Sequence, residues 1–455
     1  MKKQLAEQSI LFFSILKWIV LSTAVGIVVG ASTAFYLKIL AYSVRTQNFT
    51  YYYLLLPIAM FLSSFIIKYF APNAEGHGTE KVIEAVHKQS GKIRWQVIPI
   101  KLIATVVTIA SGGSVGKEGP AAQIGGGESS LFADLLHFND SDRKKFVICG
   151  ISAGFAAVFG TPIAGAIFGV EVLFIGSILY DVLLPSFIAG IVSYQVAVAM
   201  GIRYFHHNIS NIPAFSSSLF FKVLLLGIVF GLISFVLIET LKAGEFIANK
   251  IKIWKPLKGI IGGLVLVLFT VVFHWTRYLG LGMTSIHAAL NGVAANWYDP
   301  FLKIVYTSIT LSFGGSGGIV TPIFFIGATS GASLGHLFHL SVDVVAAIGM
   351  VSLLSGAANT PIAASIMAVE LFGPALAPYA AIAGIVSYIM TGHRSVYPSQ
   401  ILAIKKSESI DVELGKEIVD TKIDSDVKNT SPILLEGKYI IKKMKNKSKK
   451  TKKKQ

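Results

Sequence analysis

The chain has 455 residues, of which 53% are hydrophobic and only 14% charged. So sparse a charge excludes an ordinary soluble domain, which runs close to a quarter charged, and points to a polytopic membrane protein. The net charge of +16 is uneven: residues 437–455 carry ten lysines and no acid, which leaves about +6 for the rest.

In chain order, Met1, Lys2 and Lys3 precede a long apolar run over 10–40. That run is too long for a cleaved leader and reads as a retained helix. Further apolar runs follow at 52–67, 97–110, 221–238 and 260–273. A spanning helix needs about 20 mostly apolar residues. Several runs are shorter or broken by glycine, so some helices enter the bilayer without crossing it. The single cysteine, Cys149, excludes a disulfide or a thiolate metal site within one chain and reads as a packing residue.

Between the runs lies a repeat. Residues 112–120 read GGSVGKEGP, and 314–322 read GGSGGIVTP. TPIA at 161–164 returns at 360–363, and nine residues after each of those prolines stands an acid, Glu171 and Glu370. The two motifs lie 42 residues apart in the first half and 39 in the second, proline to proline. Two linked pairs in the same order define two homologous halves, roughly 10–200 and 215–400. Membrane repeats of this kind are commonly inverted across the bilayer, with the substrate site where the halves meet. Inversion needs an odd number of crossings per half, which places both termini on one side. The positive-inside rule makes that side the cytosol of a cell-membrane protein. Beyond Leu402 the apolar pattern stops, and 403–455 reads as a polar, partly disordered cytosolic tail. Its lysine run suits an anionic lipid surface; without aromatic platforms it does not suit nucleic acid.

Glycine is costly inside a helix and proline favours its first turn. Each glycine motif therefore reads as a break followed by a helix start, near 118–120 and near 320–322. A helix start carries unpaired N–H groups and partial positive charge. Two such starts meeting at mid-membrane make a neutral cradle for a small anion, and glycine lets it approach closely. Glu118 is the sharpest residue, because an intramembrane carboxylate is functional by default. Placed at a helix start, it competes with an anion for the same position, and protonation releases it, so it reads as both gate and proton carrier. Its repeat counterpart is Val320, so the turn does not need the acid. Lys117 reads as snorkelling or pairing with an acid. Glu171 and Glu370 read as caps or pairing groups at the far membrane face. His274, His287, His336 and His339 show no ligand spacing and read as structural or interfacial. The nucleotide-type phosphate loop fails at Ser111 and Glu118. With no nucleophile–base pair or metal cluster, neither an enzyme nor a cofactor is expected.

These motifs resemble the CLC family of chloride channels and anion/proton antiporters. GKEGP at 116–120 resembles the signature that carries the gating glutamate, with Lys117 in place of the more usual arginine. GGIVTP at 317–322 resembles a second signature. Gly76-His77-Gly78-Thr79-Glu80 stands where the family has Gly-Ser-Gly-Ile-Pro-Glu. Val396-Tyr397-Pro398-Ser399 resembles the start of the final helix with the central tyrosine. Residues 156–171 resemble the helix before the internal acid. The resemblance covers about 76–402. It implies an all-α membrane fold of two inverted-topology repeats whose broken helices meet at an anion site, as a homodimer with one pore per subunit. It implies that Glu118 is the gating and proton-coupling residue and that Tyr397, His77 and the amides of Ile319 and Val320 bind the anion. Val172 occupies the internal proton position, preceded by Glu171, and Thr321 offers a hydroxyl to a proton or water path. The implied function is chloride transport, as a channel or a chloride/proton exchanger. Fluoride/proton antiport in the same family is the alternative, motivated by His77 and Val320, with Pro120 speaking for chloride. A membrane sensor or scaffold is the alternative of another class.

Overall fold

A computed structural model describes residues 2–424, apart from 205, 208, 210, 211, 215, 408, 409 and 422. The lysine run and its expected lipid surface lie outside the described residues.

Sixteen α-helices fall among the described residues, and they divide evenly. The first half holds α1 (Lys2–Ser43), α2 (Leu56–Phe70), α3 (Thr79–Lys88), α4 (Val97–Ala110), α5 (Glu118–Leu135), α6 (Asp140–Phe159), α7 (Pro162–Glu171) and α8 (Tyr180–Ala199). The second holds α9 (Ser217–Lys250), α10 (Lys255–Phe273), α11 (Met283–Leu290), α12 (Asp299–Ser312), α13 (Val320–Leu337), α14 (Val342–Ala358), α15 (Pro361–Phe372) and α16 (Ala377–Met390). Each helix has its twin eight places on. The packing repeats too: α5 lies on α6 as α13 lies on α14, and α1 on α8 as α9 on α16. Twins meet across the halves at α2 with α10 and at α7 with α15.

Among the described residues, five helical segments are long and apolar enough to cross a membrane, including 43 residues at Ala6–Asn48 and 34 at Ser217–Lys250. The 10-residue helices α3 and α7 are not, since at about 1.5 Å per residue they reach about half of a 30 Å hydrocarbon core. Burial follows that division. In α14 every residue from Val344 to Ala358 is buried, as expected of a helix that is apolar all round and central. On α1, Ile10, Phe12, Phe13 and Val20 are exposed, an apolar surface suited to lipid rather than water.

Two expectations change after α16. No α-helix follows Tyr397 among the described residues. The amide of Ser399 donates to Glu80 and that of Ile401 to the Leu173 carbonyl, while Gln400 Nε2 donates to the carbonyls of Val172 and Ala358. These donors are spent on neighbouring segments, so an i−4 ladder cannot form. The chain instead enters a strand, β2 (Ile401–Leu402), parallel to β1 (Phe174–Ile175). The polar segment beyond it also begins folded. A hairpin of β3 (Asp411–Val412) and β4 (Ile423–Asp424) follows, and Val412 and Ile418 bury against Leu402 and Ile175. Lys88, at the end of α3, pairs with Glu417 at 2.9 Å. We call residues 399–421 the strap.

Candidate anion site

The two glycine breaks adopt the same backbone path. Gly112 and Gly314 take φ of +96° and +107°, open to glycine alone at little cost. The residues before the helices match as well, Lys117 at φ −103°, ψ −13° and Ile319 at φ −102°, ψ −16°. The breaks then join: the N–H of Gly116 donates to the Gly318 carbonyl and that of Gly318 to the Gly116 carbonyl, both at 2.6 Å. Side chains brace them symmetrically. Thr310 Oγ1 accepts from the Ser114 amide at 3.2 Å, and Thr108 Oγ1 from the Ser316 amide at 3.0 Å.

A third repeat pair, unread in the sequence, flanks this junction. Lys101 is fully buried and donates to the carbonyls of Ala74 and Gly76. Lys303 is fully buried and donates to those of Tyr278 and Gly280. Each lysine ties down the loop before a short helix, α3 or α11. Gly76-His77-Gly78 is thus the twin of Gly280-Leu281-Gly282. Two glycines are too common to stand out, but the lysine 25 and 23 residues later was the signal.

Glu118 opens α5, is 1% exposed and reaches across the junction to α13. One carboxylate oxygen accepts from the Thr321 amide at 3.1 Å, and the other takes a very short hydrogen bond from the Thr321 hydroxyl. The carboxylate therefore stands in for an anion at the donor end of the opposite repeat. Ile319 and Val320, both buried, bring the neighbouring amides of the same helix start. Their room depends on Gly116, where any Cβ would strike the Glu118 carboxylate, and on Gly119, where it would strike the His77 carbonyl.

On the other side of Gly119 lies a second polar group. The rings of His77 and Tyr397 are 5.6 Å apart. Tyr397 is 0% exposed with Thr79 as the hydrogen-bonding neighbour of its hydroxyl, and His77 Nδ1 is buried without a hydrogen-bond partner among the described residues. Such an atom is rare unless a ligand or water completes it. Tyr397 lies within electrostatic reach of Glu118. The hydroxyl of Tyr36, from α1, is also buried and unpartnered, and lies within reach of Glu118. Nothing in its apolar run marked it in the sequence.

The remaining candidates are structural in position. Lys117 is half-buried and forms no ion pair among the described residues. Val172 is a core residue whose carbonyl holds Gln400. Glu171 caps across the halves: its oxygens accept from the amides of Ile362 and Ala363 in α15, while Glu370 accepts from those of Ile163 and Ala164 in α7. His274 and His339 take left-handed turns at helix ends, a role open to histidine.

Paired helix starts with a carboxylate between them, inside two repeated sets of membrane helices, are the features of an anion transporter. The chain belongs to the family described as voltage gated chloride channel, which matches residues 59–392. It is 38% identical over 402 residues to a chloride/fluoride channel protein of Pseudomonas syringae pv. tomato, covering 87% of this chain and 88% of that one. It is 26% identical over 354 residues to the H(+)/Cl(-) exchange transporter ClcA of Klebsiella pneumoniae, covering 70% and 72%. Its fold is similar to the crystal structure of a CLC-type fluoride/proton antiporter, with TM-score 0.81, 30% identity and coverage of 86% and 98%.

Proposed function

We propose that the chain exchanges fluoride for protons, with Glu118 as both gate and proton carrier. The observation that carries this reading is the Glu118 carboxylate bound to the amide and hydroxyl of Thr321. A position that holds a carboxylate oxygen with an N–H and an O–H suits a small, hard anion, and fluoride is nearer to that oxygen in size than chloride is. When Glu118 takes a proton its attraction to the α13 start falls, the side chain leaves, and the anion takes its place. The hydroxyl of Tyr397 and a ring N–H of His77 are the further donors. Similarity to the chloride/fluoride channel protein and to the fluoride/proton antiporter supports the same cargo. Chloride is the second reading, favoured by the intact GKEGP ending and by similarity to the H(+)/Cl(-) exchanger.

The chain works in a cell membrane with both termini cytosolic, as a homodimer. Leu184 and Ile191 on α8, Ile362 on α15, and Ile385 and Ile389 on α16 are exposed apolar positions that a second copy would cover. Purified protein in vesicles loaded with fluoride or chloride, with anion and pH recorded together, tests the reading. Fluoride efflux is expected to acidify the lumen. Fluoride efflux with no pH change overturns exchange, and equal chloride-driven acidification moves the assignment to chloride. Replacing His77 by serine is expected to shift the preference between the two anions; an unchanged preference removes His77 from the site.

A further inference from the structure

Glu80 is a buried acid that the gate does not use. It lies in the first turn of α3, where one carboxylate oxygen accepts from the Ser399 amide at 3.0 Å and the Ser399 hydroxyl at 2.5 Å. The other oxygen is buried without a hydrogen-bond partner among the described residues. That distinguishes it from the capping acids, because Glu171 and Glu370 each engage both oxygens on helix amides. A carboxylate with one oxygen satisfied and one orphaned is costly to bury as an anion and has a place for a proton.

Its surroundings place it on a route. Ser399 is two residues beyond Tyr397, and the Tyr397 hydroxyl lies within electrostatic reach of both Glu118 and Glu80. Beside the Tyr397 ring, 5.6 Å away, is that of His77, whose Nδ1 is buried without a partner among the described residues, and Thr79 neighbours the Tyr397 hydroxyl. On the far side, Glu84 follows one turn along the same face of α3. With Lys81, Lys92 and Gln123 it lines a polar cavity of about 80 Å³, room enough for water. The charged groups facing this region are Lys81 and Glu84 from α3 and Lys101 from α4, which lies close to His77. Val172, at the internal proton position, offers no acid, and Glu171 is committed to α15.

We propose that Glu80 is the internal proton acceptor of the exchange, passing protons between water on the strap side and Glu118 by way of the His77–Tyr397 region. The step is a simple transfer. A proton from water binds the free oxygen and converts the carboxylate to the acid. Passage to the Glu118 carboxylate restores it, with no other bond made or broken. This inference rests on the proton-coupled exchange proposed above.

The test compares wild-type protein with Glu80→Gln and Glu80→Asp in vesicles, recording anion and pH together. Glutamine keeps an oxygen for Ser399 but cannot carry the proton. Glu80→Gln is expected to keep anion flux and lose at least ten-fold in protons moved per anion. Glu80→Asp is expected to retain coupling with a shifted dependence on strap-side pH. An unchanged proton-to-anion ratio in Glu80→Gln makes Glu80 a cap and overturns the proposal. If Glu80→Gln does not reconstitute, Glu80→Asp decides, and a pH profile identical to wild type overturns it. Wild-type protein that moves no protons overturns both this inference and exchange itself, whereas coupled wild type with an unaffected variant overturns this inference alone.

Discussion

In the proposed exchange, Glu118 does two jobs with one carboxylate because of what it touches. Its hydrogen bonds go to the other half of the molecule, so leaving the site means giving up both Thr321 contacts. Replacing it by glutamine mimics the protonated form. Glu118→Gln is expected to conduct anion with no proton movement, and proton coupling equal to wild type would remove Glu118 from the mechanism. Thr321→Val deletes one bond to a charged acceptor, of the kind worth about 1.5–3 kcal/mol. The occluded state should weaken by about ten-fold or more, seen as faster anion flux with fewer protons per anion. Flux and ratio equal to wild type would show that the hydroxyl does not hold the gate. The acid itself was legible, because a lone carboxylate at a glycine break is conspicuous. Its partner was not: the Thr321 hydroxyl read as part of a proton or water path, with nothing in the spacing to show that it holds the Glu118 carboxylate.

At the scale of elements, the striking economy is symmetrical and lies in how helix starts are satisfied. Helix α7 ends in Glu171, which caps α15, and α15 carries Glu370, which caps α7. Each start has orphan amides, and each acid answers two of them. Truncating either acid to alanine is expected to cost about 1–2 kcal/mol, read as a lower melting midpoint in detergent. An unchanged midpoint would mean that the caps contribute nothing. Glycine 119 is a stricter case. A methyl there meets the His77 carbonyl, a backbone atom that cannot swing away. Gly119→Ala is therefore expected to separate α5 from the loop before α3 and abolish transport even where the protein still folds. Helix starts at 118 and 320 were legible from Gly and Pro chemistry. The crossing of the caps was not, since spacing within one half cannot reveal which half an acid serves.

For the whole molecule, the inverted repeat is the organising fact. Two motif pairs carried it in the sequence, and in the structure α8 ends at Ala199 and α9 begins at Ser217. What composition hid was the strap. Residues 399–421 are polar enough to read as tail, yet Leu402, Val412 and Ile418 bury against Ile175 while Ser399 and Gln400 anchor Tyr397's neighbourhood. A few buried residues in a polar stretch leave no periodic signal. Ending the chain after residue 424 is expected to leave transport intact, whereas ending it after residue 400 should impair both folding yield and flux. Equal activity of the two would show that the strap is dispensable.

In the proposed mechanism, two helix starts make an anion position which Glu118 occupies and yields with a proton. Fluoride-loaded vesicles carrying wild-type protein, recorded for fluoride and pH together beside vesicles carrying Glu118→Gln, test it most directly. Lumenal acidification during fluoride efflux is expected with wild type, and fluoride efflux without acidification in the variant. Wild-type efflux that leaves pH unchanged, or a variant that still acidifies, would contradict it.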